Sequence, residues 1–314
     1  MNFSIRIPII LGSILLVWST HLIIAPYSYV NSERVLKQHA RDIMQNISDL
    51  TLEQSYNHLS KATSAAHLAK QLLGSDVFDN YEDGLGSLER YFFDQLTIHP
   101  HLAGIYFGNP KGDFFYVSRN NSKVPGGFRT KIIRNTPEGR DVELRWREDD
   151  YTFLGRDHTP EDTYDPRARP WYKKVMEQRR IVWTSPYIFF TSKKPGVTIA
   201  GPAFKDLGEM KGIVGVDIEI DELSSFIGRL RVGKAGKAFI FNRDLDMIAY
   251  HDVDKLTVPS DDSGGLRLAK LKDLGNPVIE AAYDSVNWER GDAGEIKFSE
   301  PKSINYEFDG GTYT

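Results

Sequence analysis

Between residues 162 and 174 the chain reads DTYDPRARPWYKK, which sets two tyrosines, a tryptophan and two arginines in one short run. Tyr164, Arg169, Trp171 and Tyr172 follow the spacing Y-x4-R-x-W-Y, and Pro170 is placed to open a helix over Pro170 to Arg180, which would hold these side chains on a fixed backbone. A planar guanidinium is a strong donor to carboxylate or phosphate, and tyrosine hydroxyls with an indole N–H add oriented donors to an apolar wall. The spacing alone fits two readings. One is a pocket for the anionic end of a small molecule, and the other is a core cluster in which the rings pack and Arg169 pairs with Asp162 or Asp165.

Around this run the pattern is that of short strands. From Leu102 the segments LAGIYFG, DFFYVSR, FRTKIIR, VELRWR, IVWTSPYIFF, GVTIAGPAF and KGIVGVDIEI are punctuated by turns such as NPKGD (Asn109 to Asp113) and KVPGGF. A helix start follows at Asp221 in DELSSFIGRL. The expectation is a mixed antiparallel sheet with helices on one side. A shorter second cycle then begins, with GKAFIFNR, DMIAYH, the polar loop VPSDDSGG, a helix near GNPVIEAAYDSV, the strand AGEIKFSE and a final hairpin in INYEFDGGTYT. That second module breaks off without the strands that would complete its sheet, which predicts a fragment.

Toward the N-terminus no Asp, Glu, Lys or Arg occurs between Arg6 and Glu33, and IPIILGSILLVWSTHLIIA is long enough to cross a bilayer. A signal peptide cut after Ala25 would place Ile23 where a small residue belongs and Pro26 just beyond, so a retained membrane anchor is expected. After Pro26 one long helix is predicted from about Asn31 to Leu73, capped by Asn31 or Ser32 and stopped by Gly74. Its length of roughly 60 Å at 1.5 Å per residue suits a stalk or a long core helix. Ile43, Ile47, Leu50, Leu59, Ala62, Ala66, Ala69 and Leu73 step by three and four, so this stripe requires a sheet or a partner helix over it. The expected organisation is residues 1–30 as tail and anchor, 31–73 as stalk, 74–228 as a first module and 229–314 as a second.

Composition bounds the function. A net charge of −4 gives no electrostatic footprint for nucleic acid, and the absence of cysteine excludes thiol catalysis and a disulfide framework. GKAGK (Gly233 to Lys237) lacks P-loop spacing, there is no H-E-x-x-H or G-x-S-x-G, and the acidic runs REDDY and PSDDSGG lack the ligand spacing of a calcium loop. No cofactor and no metal is expected.

The successive signatures YDPRARPWY, SPYIFFTSKKPGVTIAGP and KGIVGVDIEIDELSSFI, behind an anchor and a long helix, resemble the double Cache sensor domain over about residues 31–314. The resemblance implies an α+β fold with an N-terminal transmembrane helix, a stalk helix and two PAS-like antiparallel-sheet modules. It also implies the extracytoplasmic part of a receptor in a bacterial inner membrane, from about residue 31 onward, whose membrane-distal module binds a small ligand. In amino-acid-binding members the Y-x4-R-x-W-Y run grips the ligand carboxylate, which carries over to Tyr164, Arg169, Trp171 and Tyr172. Tyr187 matches a later tyrosine and Asp217 a final aspartate that takes the ammonium. Phe189 stands where those members have a second aspartate. A buried ammonium without enough counter-charge costs several kcal/mol, so Phe189 favours a carboxylate with an apolar or differently polar tail over a plain α-amino acid. The wording around Tyr187 and in VGKAGKAFIF is most similar to sensor halves of membrane adenylate or guanylate cyclases and related receptors.

The sensor is thus expected to bind an anionic small ligand, to signal along the stalk and to work as a homodimer. An anchored hydrolase using Arg169 to orient substrate would need a nucleophile or base that the spacing does not supply, and a ligand-free dimerisation module would make Arg169 dispensable.

Overall fold

A computed structural model describes residues 6–75, 81–119, 126–205, 208–229, 236, 238–260, 265–286 and 306–313. Residues up to 51 fall in one compact unit and nearly all that follow fall in another. In the first, helix α1 (Arg6–Gly74) begins, and it continues without a break through Pro26. The expected cap at Asn31 or Ser32 is therefore not used. Proline removes only the bond to the Leu22 carbonyl, a loss that apolar membrane helices accommodate. The segment Ile9–Ile47 is long and apolar enough to cross a membrane. From Ile9 to Val30 its apolar side chains stand exposed. The helix stops at Gly74 as the sequence predicts.

In the second unit the C-terminal end of α1 joins α2 (Tyr81–Ile98) against a sheet of nine strands: β1 (Gly104–Gly108), β2 (Phe114–Arg119), β3 (Phe128–Thr136), β4 (Gly139–Arg147), β5 (Phe153–His158), β6 (Val182–Trp183), β7 (Tyr187–Ile188), β8 (Pro195–Phe204) and β9 (Met210–Glu219). The order is β5-β4-β3-β2-β1-β9-β8-β6, with β7 also on β8. Every pairing in it is antiparallel, so the sheet is not mixed. The expected strand IVWTSPYIFF is two short ones, β6 and β7, and the sequence pattern did not reveal α2 or the edge strand β5.

Side chains alternate along each strand, and here both faces are buried. One face carries Ile105, Phe115, Val117, Ile132, Ile199, Val214 and Val216, packed on Phe92, Phe93 and Leu96 of α2 and on Ala62, Ala66, Ala69 and Leu73 of α1. Thus the lower half of the predicted α1 stripe is covered, while Ile43, Leu50 and Leu59 remain exposed. Glu89 anchors α2 through Arg147 (Nη2 to Oε2, 3.0 Å) and Thr130 (Oγ1 to Oε1, 2.6 Å).

The other face carries Tyr106, Phe114, Tyr116, Ile133, Ala200 and Ile213, and α3 (Pro170–Gln178) lies on it through Trp171, Tyr172 and Val175. Helices on one side only is therefore corrected to helices on both. A strand buried on two faces reads as a continuous apolar run, which hides the second layer from the sequence.

After α4 (Asp221–Arg229) the chain forms three two-stranded ladders: β10 (Ile240–Phe241) with β11 (Met247–Ala249), β12 (Thr257–Pro259) with β13 (Leu266–Leu268), and β14 (Tyr306–Phe308) with β15 (Gly311–Tyr313). With α5 (Pro277–Ser285) comes a separate cluster of Met247, Tyr250, Leu256, Leu271, Leu274 and Ile279. The final hairpin is present as read. The predicted strand AGEIKFSE and most of GKAGK and PSDDSGG lie outside the described residues.

Candidate ligand-binding site

The run that opens the sequence analysis becomes a short 3-10 turn (Pro166–Ala168) followed by α3. Asp162 accepts from the Tyr164 amide (2.8 Å) and Asp165 from the Arg167 amide (2.9 Å), which sets the path of the chain over the sheet. Pro170 takes the first helical position, its fixed φ suiting the turn. Arg169 occupies the N-cap, yet its side chain caps nothing there.

Neither ion pair of the core-cluster reading forms. Asp162 pairs with the buried Lys131, and Asp165 pairs with Arg167 (2.8 Å). The Arg169 guanidinium instead lies 5.9 Å from the Tyr164 ring and 5.5 Å from the Phe190 ring, with no side-chain hydrogen bond or ion pair among the described residues.

A cavity of about 20 Å³, room for roughly one water, separates α3 from the sheet. It is lined by Tyr164, Arg169, Trp171, Tyr187, Phe189 and Asp217, six of the seven predicted residues. Tyr172 is not on its wall and packs behind Trp171 at 5.4 Å between rings. Tyr106, Phe114, Tyr116, Phe190 and Thr191 also line the cavity and were missed by sequence reasoning.

The same cavity meets a buried polar knot at Asp217, which the Arg169 charge reaches. Tyr106 donates to Asp217 Oδ1 (2.8 Å), and Thr198 donates to the same oxygen (2.6 Å). Because the Thr198 proton is used there, Tyr187, whose hydroxyl lies 2.8 Å from Thr198 Oγ1, is the donor in that pair. Strand register explains the meeting: Thr198 on β8 is directly opposite Asp217 on β9, and Tyr106 on β1 is opposite Gly215, two residues away on the same face. A Cβ at Gly215 would come within 2.0 Å of the Tyr106 ring, and one at Gly196 within 2.1 Å of the Phe189 ring, so both glycines make room for the wall.

Burial pushes the Asp217 carboxyl up to about 7, against the Thr198 and Tyr106 hydrogen bonds that hold it down. Burial also raises the Tyr106, Tyr187 and Tyr164 hydroxyls, so all three remain donors at neutral pH. Lys131 is lowered, again chiefly by burial. Of the two lysines in the turn after Phe190, Lys194 is held by Glu219 (2.8 Å) and Asp221 (2.7 Å), whereas Lys193 lies 4.5 Å from the Phe190 ring. Among the described residues no group of three or more His, Asp or Glu is set to hold a metal ion. Chemically the arrangement offers, around one small cavity, a guanidinium with no ion pair among the described residues, hydroxyls, a protonatable carboxyl within reach of the guanidinium's charge, and aromatic walls.

Residues 131–225 match the family described as methyl-accepting chemotaxis protein-like, first PDC sensor domain. The chain is 26% identical over 202 residues to Adenylate cyclase 1 of Rhizobium meliloti, covering 60% of this chain and 28% of that protein. It is 25% identical over 190 residues to the methyl-accepting chemotaxis protein McpB of Bacillus subtilis, again covering 60% and 28%. The chain therefore spans less than a third of the length of either relative. Among solved structures, the ligand-binding domain of the Campylobacter jejuni chemoreceptor Tlp3, in complex with L-norvaline, superposes with a TM-score of 0.52 at 18% identity over 89% of this chain and 84% of that one. The fold is that of chemoreceptor ligand-binding domains.

Proposed function

We propose that this chain, a sensor chain of the double Cache type, receives a small carboxylate-containing ligand in the cavity between α3 and the sheet and passes that event along α1. The observation that carries this reading is Arg169: a guanidinium on the wall of an aromatic cavity that makes no ion pair among the described residues, while the neighbouring Asp162 and Asp165 are taken by Lys131 and Arg167. A carboxylate is the planar partner that such a donor fits. At the far end, Asp217 with Tyr106, Tyr187 and Thr198 would hold a hydroxyl or an amine, and Phe189 supplies an apolar surface where a second carboxylate would be needed for an ammonium.

The sensing module is proposed to span residues 74–228, with 229–314 as a second module and the part from about residue 31 facing the periplasm. Ligand energy transmits only as far as it differs between two receptor states, typically 1–3 kcal/mol. The exposed α1 positions Ile43 and Leu50, seven residues apart on one stripe, support pairing of two copies, and sedimentation at several concentrations tests it. Output is assigned to none of these residues; the two relatives bear the names of an adenylate cyclase and a chemotaxis protein, and a nucleotide cyclase or another signalling domain is proposed for it.

The test is calorimetric titration of the full chain in lipid nanodiscs with amino acids, monocarboxylates, dicarboxylates and amines. A carboxylate is expected to bind, to stabilise the fold by about 2.7 kcal/mol at 100 times its Kd, and to lose its effect in Arg169→Ala. A ligand that binds equally well without Arg169 would sink the reading.

A further inference from the structure

Three cations gather on one ring. Arg169 Cζ lies 5.5 Å, Lys193 Nζ 4.5 Å and Lys131 Nζ 6.0 Å from the centroid of Phe190. Nearby carboxylates are taken by other cations: Asp162 holds Lys131, Asp165 holds Arg167, and Glu219 and Asp221 hold Lys194. Arg169 and Lys193 make no ion pair among the described residues, and the charge of Arg169 reaches only the buried Asp217, which is already held by Tyr106 and Thr198.

Lys193 is also placed with care. Its φ of +58° lies in the left-handed region that glycine or asparagine fills at little cost. The turn is closed at both ends, the Phe189 amide bonding the Lys194 carbonyl (2.9 Å) and the Lys193 amide bonding the Phe189 carbonyl (3.1 Å). A strained lysine in a fixed turn, rather than a relaxed glycine, puts a positive charge beside Phe190.

The third observation concerns room. A cavity of about 20 Å³ admits an organic anion only when a wall moves. Trp171, Tyr106, Tyr164 and Phe189 are buried walls, whereas Phe190 is half-buried and has both Arg169 and the exposed Lys193 near its ring. With that ring displaced, both cations would border the space it leaves, since each lies near its centroid.

We infer that the site selects a small dicarboxylate, one carboxylate on Arg169 and the second on Lys193, with Phe190 as the ring that yields on entry. This rests on the reading of the cavity as a ligand site. Two separate cations call for two separate charges, so a dicarboxylate fits better than a compact dianion such as phosphate.

The experiment compares succinate and glutarate with their monoamides, and with inorganic phosphate, by calorimetry on the full chain in nanodiscs at low salt. An exposed ion pair contributes modestly, so a dicarboxylate should bind about fivefold more tightly than its monoamide, and the ratio should shrink as salt rises. Lys193→Gln should bring the dicarboxylate to the affinity of the monoamide and leave the monoamide unchanged. Equal affinities in the unsubstituted chain, or a Lys193→Gln effect identical on both, would overturn the inference; so would phosphate outbinding both dicarboxylates. Arg169-dependent binding of monoanions without a dicarboxylate preference sinks this inference alone. Failure of every carboxylate to bind removes the ligand-site reading itself, and this inference with it.

Discussion

Neighbouring residues of β9 have opposite tasks. Val214 and Val216 belong to the apolar layer under α1 and α2, while Gly215 and Asp217 turn toward α3 and the cavity. The first layer is hydrocarbon filling hydrocarbon, where stability grows with buried area. The second contains a buried carboxyl held by hydroxyls, with Arg169 acting on it only through its charge, a glycine that adds no packing and an arginine that makes no ion pair among the described residues. Such departures from good packing lower stability, and they cluster at functional sites because binding repays them. On the proposed function, one sheet thus separates a face that only packs from a face that packs and also carries the candidate site.

That division fails if the apolar layer proves dispensable. Phe92, fully buried on α2, touches the Phe115 ring at 5.9 Å, and Phe92→Ala should cost about 3–5 kcal/mol in denaturant unfolding. The folded fraction should still bind ligand with unchanged affinity. A cost below about 1 kcal/mol would mean that α2 is not a structural partner of the sheet.

Gly215→Ala tests the boundary from the other side. A methyl group 2.0 Å from the Tyr106 ring must drive that ring off Asp217, at a cost of about 3 kcal/mol, the upper range for overpacking. Here stability and binding should fall together. Unaltered binding would separate Tyr106 from the site.

The pH dependence sharpens the contrast further. The folded Asp217 carboxyl titrates at about 7, far above an ordinary aspartate, because burial disfavours its charge. Between about pH 4 and 7 the folded state therefore holds a proton that the unfolded state has released, so this contribution to stability is present at low pH and lost as pH rises. From pH 5 to 7 the chain should lose about 2 kcal/mol relative to Asp217→Asn, whose side chain does not titrate. Parallel stability curves for the two proteins would show that Asp217 is ionised in the folded state.

The two faces also differ in how far the sequence revealed them. The Y-x4-R-x-W-Y run, Tyr187, Phe189 and Asp217 were legible because a local motif and a resemblance carried them, and all but Tyr172 reach the cavity wall. Tyr106 and Thr198 were not, since each is one polar residue in a strand buried on both sides, and only the β1–β9–β8 register brings them to Asp217. Helix α2 carried a readable stripe in Leu85, Leu88, Phe92 and Leu96, but Gly84 and Gly86 weakened its start. Edge strand β5 is largely exposed and so lacks the alternation that marks a half-buried strand. Pro26 misled in the other direction, because a proline that would end a helix in water is tolerated in an apolar one.

The smallest expected effect on folding is the most discriminating. Arg169 makes no side-chain hydrogen bond or ion pair, and its contacts with Tyr164 and Phe190 are long cation–π approaches at a half-buried position. Each such contact contributes about 0.5–1 kcal/mol, and the Arg169 charge also favours the ionised form of Asp217. Arg169→Ala should therefore shift the unfolding free energy by about 1 kcal/mol, well short of the roughly 3–5 kcal/mol of Phe92→Ala, while removing carboxylate binding. If Arg169→Ala instead destabilises the chain as a core substitution does, the guanidinium belongs to the packing of the second face, and the separation of folding from recognition across the sheet does not hold.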